Sequence, residues 1–285
     1  MKNRTTKVLL ILFAFLGAGC LYLFTYVPPL SRQHGHLETR LFLGQGQNQP
    51  LIVAFGGGDG GNDWARKYLK SKRDSLLSQG YAVLAIGYFK GDNIPDHLDR
   101  ISLNAIRDTI LSIARHPAID RSKIGLMGGS RGGELVLNLA SYFPEFKAVV
   151  AMSAPNVSFP AITWSANTSS WMLYGQEVAY VPAPFKTIGP ALKGDLFTAH
   201  SMMLEDAQAV QKAEIPVENI RGAVLLLSGA NDDQWPAREM SDKTVQRLQQ
   251  RQFAFPYEHR VLDGGHTAPL QHFELVHAFL DKHLK

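Results

Sequence analysis

Cysteine is nearly absent from this sequence of 285 residues, which contains only Cys20. A single thiol excludes a disulfide-stabilised scaffold, and it excludes a thiolate metal site in the rest of the chain. The histidines lack the His-Glu-x-x-His spacing, or a similar grouping, that a metal site requires. The sequence therefore predicts no metal and no cofactor.

The sequence also has little excess of either positive or negative charge. The formal net charge is only +4, and the first 40 residues hold five basic side chains against the single acid Glu38, so the remainder is near neutral. A nucleic-acid-binding domain carries its basic patch on the folded surface, so nucleic acid is not an expected partner. With 45% hydrophobic and 19% charged residues, the composition fits one α/β domain with a large core.

Residues 8–27 form a long apolar run, with no charged side chain between Lys7 and Arg32. About 20 apolar residues at ~1.5 Å rise each can cross a hydrocarbon layer of ~30 Å. We therefore expect residues 1–30 to be a membrane anchor or signal segment. The expected membrane contact is made through residues 8–27.

Basic side chains precede this run at Lys2, Arg4 and Lys7. By the positive-inside tendency, the N-terminus lies in the cytoplasm and the body lies on the periplasmic or extracytoplasmic side. Two alternatives remain open. The chain could be a lipoprotein processed at Cys20, or it could be secreted after cleavage of the segment as a signal peptide.

After a linker and edge strand at residues 31–50, short apolar runs alternate with segments of helical periodicity over residues 51–285. The predicted buried strands are residues 51–55, 81–86, 124–127, 148–152, 223–227 and 257–262. Strands that are apolar throughout indicate a mainly parallel sheet covered by helices on both faces. The predicted fold class is α/β.

The alternation lapses at about residues 153–221, a stretch too long for a simple connection in a compact domain. We expect an inserted lid there. Its large side chains Trp164, Trp171, Met172 and Tyr174 either line an acyl pocket or fill a small core of the insertion.

Ser130 stands where a predicted strand ends and a helical segment begins, in the pattern Gly128-Gly-Ser-Arg-Gly132. This pattern fits the G-x-S-x-G nucleophile elbow, a sharp turn that presents a serine hydroxyl. The flanking glycines Gly128 and Gly132 let the strand and the helix approach closely. By itself, the pattern also fits a glycine-rich turn of an ordinary β-α unit.

An acid and then a base follow Ser130. This is the chain order Ser, Asp, His that hydrolases with this type of sheet use. His266 follows the last predicted strand, and Asp232 and Asp233 follow the strand before it. Imidazole activates the poorly nucleophilic serine, and a carboxylate orients the imidazole. Asp232 is favoured over Asp233 because it is the third residue after Gly229, although the adjacent pair keeps the choice open.

Residues 56–61 formally match the dinucleotide motif G-x-G-x-x-G. That motif expects an acid at the end of the next strand, and residues 85–90 contain none. We therefore interpret the loop as half of an oxyanion hole. One backbone N–H would come from Gly57 or Gly58 and the other from Arg131.

Five stretches resemble one known family: residues 80–89, 116–134, 146–150, 231–236 and 264–267. From about Leu51 onward, the chain resembles the C-terminal catalytic domain of the acyl-CoA thioesterases and of bile acid-CoA:amino acid N-acyltransferase. The resemblance implies an α/β-hydrolase fold with a triad of Ser130, Asp232 and His266. Because the N-acyltransferase has cysteine at the nucleophile position, Ser130 favours transfer to water.

The expected function is that of a serine hydrolase that cleaves a small-molecule acyl thioester or ester through an acyl-Ser130 intermediate. The alternatives are an exported carboxylesterase or peptidase of the same fold, or an acyltransferase to an acceptor other than water. Acyl-CoA is expected in the cytosol or an organelle, on the other side of the membrane from the predicted domain. Either the acyl group comes from another thioester or ester, or the topology is inverted.

Overall fold

The computed structural model describes residues 26–285 and, before them, Gly17, Gly19, Tyr22 and Thr25. Most of the predicted membrane segment, including Cys20, lies outside the described residues. Within the described part of the chain, no helix is long and apolar enough to cross a membrane. The anchor and its two alternatives therefore stay predictions.

Seven strands form the main sheet, and three short ones form a second sheet. The strands are β1 (Glu38–Phe42), β2 (Gln49–Phe55), β3 (Ala82–Gly87), β4 (Ile101–Ser102), β5 (Ile119–Gly129), β6 (Phe146–Met152), β7 (Trp171–Leu173), β8 (Gln176–Glu177), β9 (Ala223–Gly229) and β10 (Tyr257–Leu262). The order in the main sheet is β1-β3-β2-β5-β6-β9-β10, and only β1 runs antiparallel to its neighbour. The predicted mainly parallel sheet is confirmed.

Helices cover both faces of this sheet. The helices of the described residues are α1 (Lys70–Ser78), α2 (Leu103–Ile113), α3 (Arg131–Tyr142), α4 (Ile188–Leu192), α5 (Leu196–Met203), α6 (Ala207–Ala213), α7 (Ala237–Gln250), α8 (Ala268–Gln271) and α9 (Phe273–His283), of which α4 to α6 belong to the insertion. Alternate residues of β2 enter different apolar layers: Val53 and Phe55 pack with α2, α3 and α7, whereas Ile52 and Ala54 pack with α1 and α9. Burial on both faces explains why the central strands are apolar throughout.

Helical periodicity in the sequence predicts helices at residues 64–79 and 98–115, and both differ from the observed ones. The segment 64–79 is interrupted, because Trp64 sits in a short 3-10 turn and donates its indole N–H to the last carbonyl of β2. The helix expected at residues 98–115 begins only at Leu103. Its residues 101–102 pair with the insertion as β4, and the Ser102 hydroxyl then caps α2 by accepting from the Ala105 N–H.

The insertion at residues 153–221 carries β7, β8 and helices α4 to α6. It has a small apolar core of its own, in which Val157, Phe159 and Met203 pack with Trp235 of the main domain. The insertion also covers α3, whose residues are buried along nearly the whole helix. The insertion thereby covers the edge of the sheet at which Ser130 lies.

Candidate functional site

Ser130 occupies a strained turn between β5 and α3. Its backbone has φ 59° and ψ −125°, a left-handed φ that a residue with a side chain rarely adopts. The turn is tight because a Cβ on Gly128 would lie 2.2 Å from the Gly132 carbonyl oxygen. The Ser130 N–H is held by the Met152 carbonyl of the neighbouring strand at 2.8 Å. These contacts fix the serine at the carboxyl end of the sheet.

His266 and Asp232 meet because their strands, β10 and β9, are parallel neighbours. The loops that follow the two strands are joined by a hydrogen bond from the Asn231 N–H to the Gly264 carbonyl at 2.9 Å. The His266 Nδ1 lies 2.7 Å from the Asp232 Oδ2. The buried carboxylate thereby orients the ring and selects the tautomer with the proton on Nδ1.

Asp232, and not Asp233, is the carboxylate beside the histidine. The other oxygen of Asp232 accepts the backbone N–H groups of Gln234 and Trp235, at 2.8 and 3.4 Å. Asp233 is exposed, and among the described residues its carboxylate accepts a hydrogen bond only from the side-chain amide of Gln234, at 3.2 Å. The sequence alone could not separate these adjacent acids.

The rest of the His266 environment holds the ring in place. The Ser153 hydroxyl donates to the His266 carbonyl at 2.7 Å, and the Trp235 ring stands edge-on to the imidazole at 5.0 Å. The His266 Nε2 is buried and has no hydrogen-bond partner among the described residues. Ser130 and His266 line the same cavity, and catalytic hydrogen bonds commonly tighten only when substrate binds.

Of the two candidate oxyanion glycines, Gly57 lies against the serine. A Cβ built on Gly57 would lie 3.2 Å from the Ser130 Cβ and 3.6 Å from its Oγ, whereas one on Gly58 would meet the Arg131 side chain. Arg131 begins α3, so its backbone N–H is at the free N-terminus of that helix. The two predicted N–H donors therefore come from segments that flank Ser130.

Arg131 also forms a buried ion pair that the sequence did not indicate. Its Nη1 lies 2.6 Å from the Glu134 carboxylate, whose other oxygen accepts from the Trp171 indole at 2.5 Å and from the Phe159 N–H at 3.1 Å. The sequence suggests only a helix-dipole role for Glu134. Burial raises the pKa of Glu134 to about 7, against the opposing effect of the Arg131 charge. The pair ties α3 to the insertion.

Replacing Glu134 with alanine is expected to lower the free energy of unfolding by about 3–5 kcal/mol, because Arg131 would remain buried without its partner. Denaturant unfolding followed by circular dichroism measures the change. Glu134→Gln keeps an acceptor oxygen for Trp171 and should lose less. A loss below about 1 kcal/mol in the alanine variant, the size of an ordinary surface ion pair, would contradict this role.

The same pair predicts a pH dependence of stability. The folded state raises the pKa of Glu134 from its ordinary 4.5 to about 7, so the folded protein binds this proton more tightly than the unfolded chain. The free energy of unfolding should therefore fall as pH rises through that window. The Glu134→Gln variant should lack this contribution to the slope.

A cavity of about 1140 Å³ opens above Ser130 and His266. The volume exceeds the ~300–1,000 Å³ of typical ligand pockets. Part of its wall is apolar and comes from the insertion, including Phe159, Ile162 and Met203. This arrangement suits a substrate with a sizeable apolar group next to the reacting bond.

The large side chains expected to line an acyl pocket lie elsewhere. Trp164 and Tyr174 are 96% and 75% exposed, and Met172 is outside the cavity wall. Trp171 is fully buried and binds Glu134. The prediction of an acyl pocket from these four residues is wrong, and Trp171 packs in the main apolar core and not in the small core of the insertion.

His200 on α5 is a cavity residue that sequence reasoning missed, because a single histidine in a helical segment carries no motif. Its Nδ1 lies 2.9 Å from the Leu196 carbonyl and 2.8 Å from the Gln234 carbonyl. Burial lowers its pKa, which favours the neutral ring. Gln234 thus binds the insertion through its carbonyl and Asp232 through its N–H, and this links the insertion to the acid loop.

Comparison with known proteins gives matches over most of the chain. A model of the family described as "BAAT / Acyl-CoA thioester hydrolase C terminal" matches residues 101–283. Acyl-coenzyme A thioesterase 1 of Homo sapiens is 25% identical over 264 residues, which cover 90% of this chain and 58% of that protein. Acyl-coenzyme A thioesterase 5 of Mus musculus is 26% identical over 221 residues, covering 76% of this chain and 48% of that protein. The chain spans about half the length of the curated relatives it matches.

Solved structures share the architecture at low sequence identity. The Pyrococcus horikoshii acylaminoacyl peptidase superposes with a TM-score of 0.58 and 17% identity, over 87% of this chain and 40% of that one. DcsB, solved with its substrate analogue, has a TM-score of 0.58 and 16% identity, over 87% of this chain and 94% of that one. These likenesses show the α/β-hydrolase fold. With the family match, they establish that the chain belongs to the BAAT / acyl-CoA thioester hydrolase C-terminal family.

Proposed function

We propose that the protein is a serine hydrolase that cleaves an acyl thioester or ester through an acyl-Ser130 intermediate. The observation that carries the proposal is the 2.7 Å contact between His266 Nδ1 and Asp232 Oδ2, made at the cavity that the strained Ser130 also faces. A residue at φ 59° is strained, and such strain persists where a site requires it. A structural turn at this position would need neither the serine nor the histidine.

Each group has a defined step in this mechanism. The Ser130 Oγ attacks the acyl carbon while His266 Nε2 takes the hydroxyl proton, and Asp232 stabilises the resulting imidazolium. The N–H groups of Gly57 and Arg131 stabilise the oxyanion. When the tetrahedral adduct collapses, the bond to the thiol or alcohol breaks and His266 gives that leaving group its proton. Water then attacks the acyl-enzyme by the same route, which releases the acid and restores Ser130.

The substrate class is proposed from the cavity and from the relatives. Two of the relatives that match this chain are acyl-coenzyme A thioesterases. The partly apolar cavity of about 1140 Å³ has room for an acyl chain beside Ser130. A serine at position 130 favours water as the acceptor, in contrast to the cysteine of the N-acyltransferase.

A fluorophosphonate probe tests the nucleophile and a substrate panel tests the class. We expect the probe to modify Ser130, as mapped by mass spectrometry, since the phosphorus is attacked by an activated serine. Across acyl-CoA, acyl-pantetheine and p-nitrophenyl esters, kcat/KM should rise about fourfold per added methylene until the cavity is filled, from ~0.8 kcal/mol per buried CH₂. Modification of another residue, or of none on folded protein, would overturn the hydrolase proposal.

A different result on the panel favours the second candidate. Thioesters that are inert beside readily cleaved short esters or peptides would indicate a carboxylesterase or peptidase on this fold. The acylaminoacyl peptidase of Pyrococcus horikoshii shares the architecture. Product transferred to an added amine in preference to water would indicate an acyltransferase.

The location is part of the proposal. Residues 8–27 anchor the protein in a membrane, with the folded domain on the periplasmic or extracytoplasmic side. Support comes from the length of the apolar run and from the basic residues that precede it. The acyl group then comes from a thioester or ester other than cytosolic acyl-CoA.

A further inference from the structure

The end of the predicted membrane segment and the residues just after it meet the folded domain beside the cavity. The Tyr26 carbonyl accepts a hydrogen bond from the Asn167 side chain at 3.1 Å, and the Pro28 carbonyl accepts one from Arg100 at 2.6 Å. Ala166, next to Asn167, lines the cavity. The end of the apolar run therefore contacts a residue that directly follows one of the cavity wall.

This contact leaves almost no linker between the predicted membrane span and the part of the domain around Asn167. A chain advances at most ~3.6 Å per residue, and Tyr26 is itself one of the last residues of the run. If residues 8–27 cross a bilayer, the segment around Asn167 is held within a few residues' reach of the lipid–water boundary. A freely moving domain would need a longer linker.

Exposed apolar side chains belong to the cavity wall or stand next to it in sequence. Ile162 lines the cavity and is 47% exposed, and Trp164, two residues further on, is 96% exposed. Leu192 and Phe197 are 82% and 40% exposed, and their sequence neighbours Ala191 and Leu196 line the cavity. We call Ile162, Trp164, Leu192 and Phe197 the cavity rim. Single exposed apolar residues need no explanation, but four in or next to the segments that line one cavity indicate a binding surface.

We propose that the cavity rim rests on the surface of a lipid bilayer, so that the acyl chain of a membrane-borne ester or thioester enters the cavity directly from the lipid. The contact of the cavity rim with the bilayer rests on the proposed membrane anchor, and the identity of the substrate rests on the proposed hydrolase function. Tryptophan is favoured at the membrane interface, where its ring meets both lipid and water. Leu192 and Phe197 add apolar area that gains from contact with acyl chains.

Tryptophan fluorescence can test the surface without any assay of activity. Of the four tryptophans, Trp64, Trp171 and Trp235 are 2%, 0% and 3% exposed, whereas Trp164 is 96% exposed. Full-length protein is reconstituted into phosphatidylcholine–phosphatidylglycerol vesicles with brominated or ordinary acyl chains. We expect bromine to quench the emission of Trp164, and the Trp164→Phe variant to lack that component.

Three results would overturn the proposed contact between the cavity rim and the lipid. The first is Trp164 emission that aqueous iodide quenches equally in vesicles and in detergent, with no effect of brominated lipid. The second is failure of the full-length protein to float with vesicles. The third is a dimer in detergent, measured by light scattering, in which Trp164 is already shielded from iodide, since the rim would then contact a second copy.

Entry of substrate from the lipid has a separate test. Leu192→Glu is compared with Val261→Glu, which changes a 43% exposed residue of β10 outside the cavity wall. For Leu192→Glu, the ratio of turnover of a long-chain ester in vesicles to that of a soluble p-nitrophenyl ester should fall at least fivefold. The control ratio should not change. An unchanged ratio in both variants overturns entry from the lipid, whereas quenching of Trp164 without turnover of either ester overturns only the hydrolase function.

Discussion

Replacing Ser130 with alanine is expected to lower kcat by about 10⁶-fold, the loss seen when a hydrolase of this type loses its nucleophile. The neighbouring Ser153 is not placed to take over, because its Oγ is engaged with the His266 carbonyl at 2.7 Å. Single-turnover kinetics with a chromogenic ester measure the loss. The thermal unfolding curve of the variant should stay close to that of wild type, since a small side chain at a cavity wall is removed.

Ser122→Ala provides a matched control for this experiment. Ser122 is an exposed residue of β5, and the one hydrogen bond of its hydroxyl to any described residue is to the Asp120 carboxylate, at 2.6 Å. Its removal should leave kcat within about twofold, because ordinary surface substitutions change little. Folded Ser130→Ala protein that keeps a few per cent of wild-type kcat would show that the nucleophile lies elsewhere.

Asp232→Asn is expected to lower kcat by about 10⁴-fold, whereas Asp233→Asn should change it less than about threefold. An asparagine at position 232 can present an N–H toward His266 Nδ1, which favours the wrong tautomer of the ring. It still offers an oxygen to the Gln234 N–H, so the loop should keep its shape. Asp233 makes no contact with His266 and serves as the control in the same loop.

Steady-state kinetics of both variants, with circular dichroism to check folding, decide this point. A large loss in Asp233→Asn alone would assign the acid to the exposed residue. Equal and mild losses would mean that neither aspartate orients the histidine. Either result would contradict the assignment drawn from the 2.7 Å contact.

Sequence reasoning predicted the parts of the fold that local physics controls. Central strands that are buried on both faces must be apolar throughout, so their positions and their parallel arrangement could be read directly. A serine between glycines at a strand-to-helix junction has a steric signature, and Asp232 and His266 follow strands further along the chain. Chain order therefore indicated which loops converge.

Other features depended on groups distant in sequence. The sequence favours Asp232 over Asp233 only through its spacing from Gly229, and the packing of the loops after β9 and β10 decides between the two. Glu134 has a typical helix-start position, yet it is buried because Trp171, 37 residues away, covers it. Trp164 and Trp171 lie in the same insertion, but one is exposed and the other buried.

For this protein, the sequence by itself determined the α/β sheet, the elbow at Ser130 and the order of the acid and the histidine, because periodicity and turn sterics act over a few residues. Tertiary structure alone decided which aspartate meets His266, that Gly57 lies beside Ser130, and which side chains of the insertion face the cavity. The physical reason is that burial and charge pairing depend on what packs against a residue. That packing is made between segments far apart in the chain.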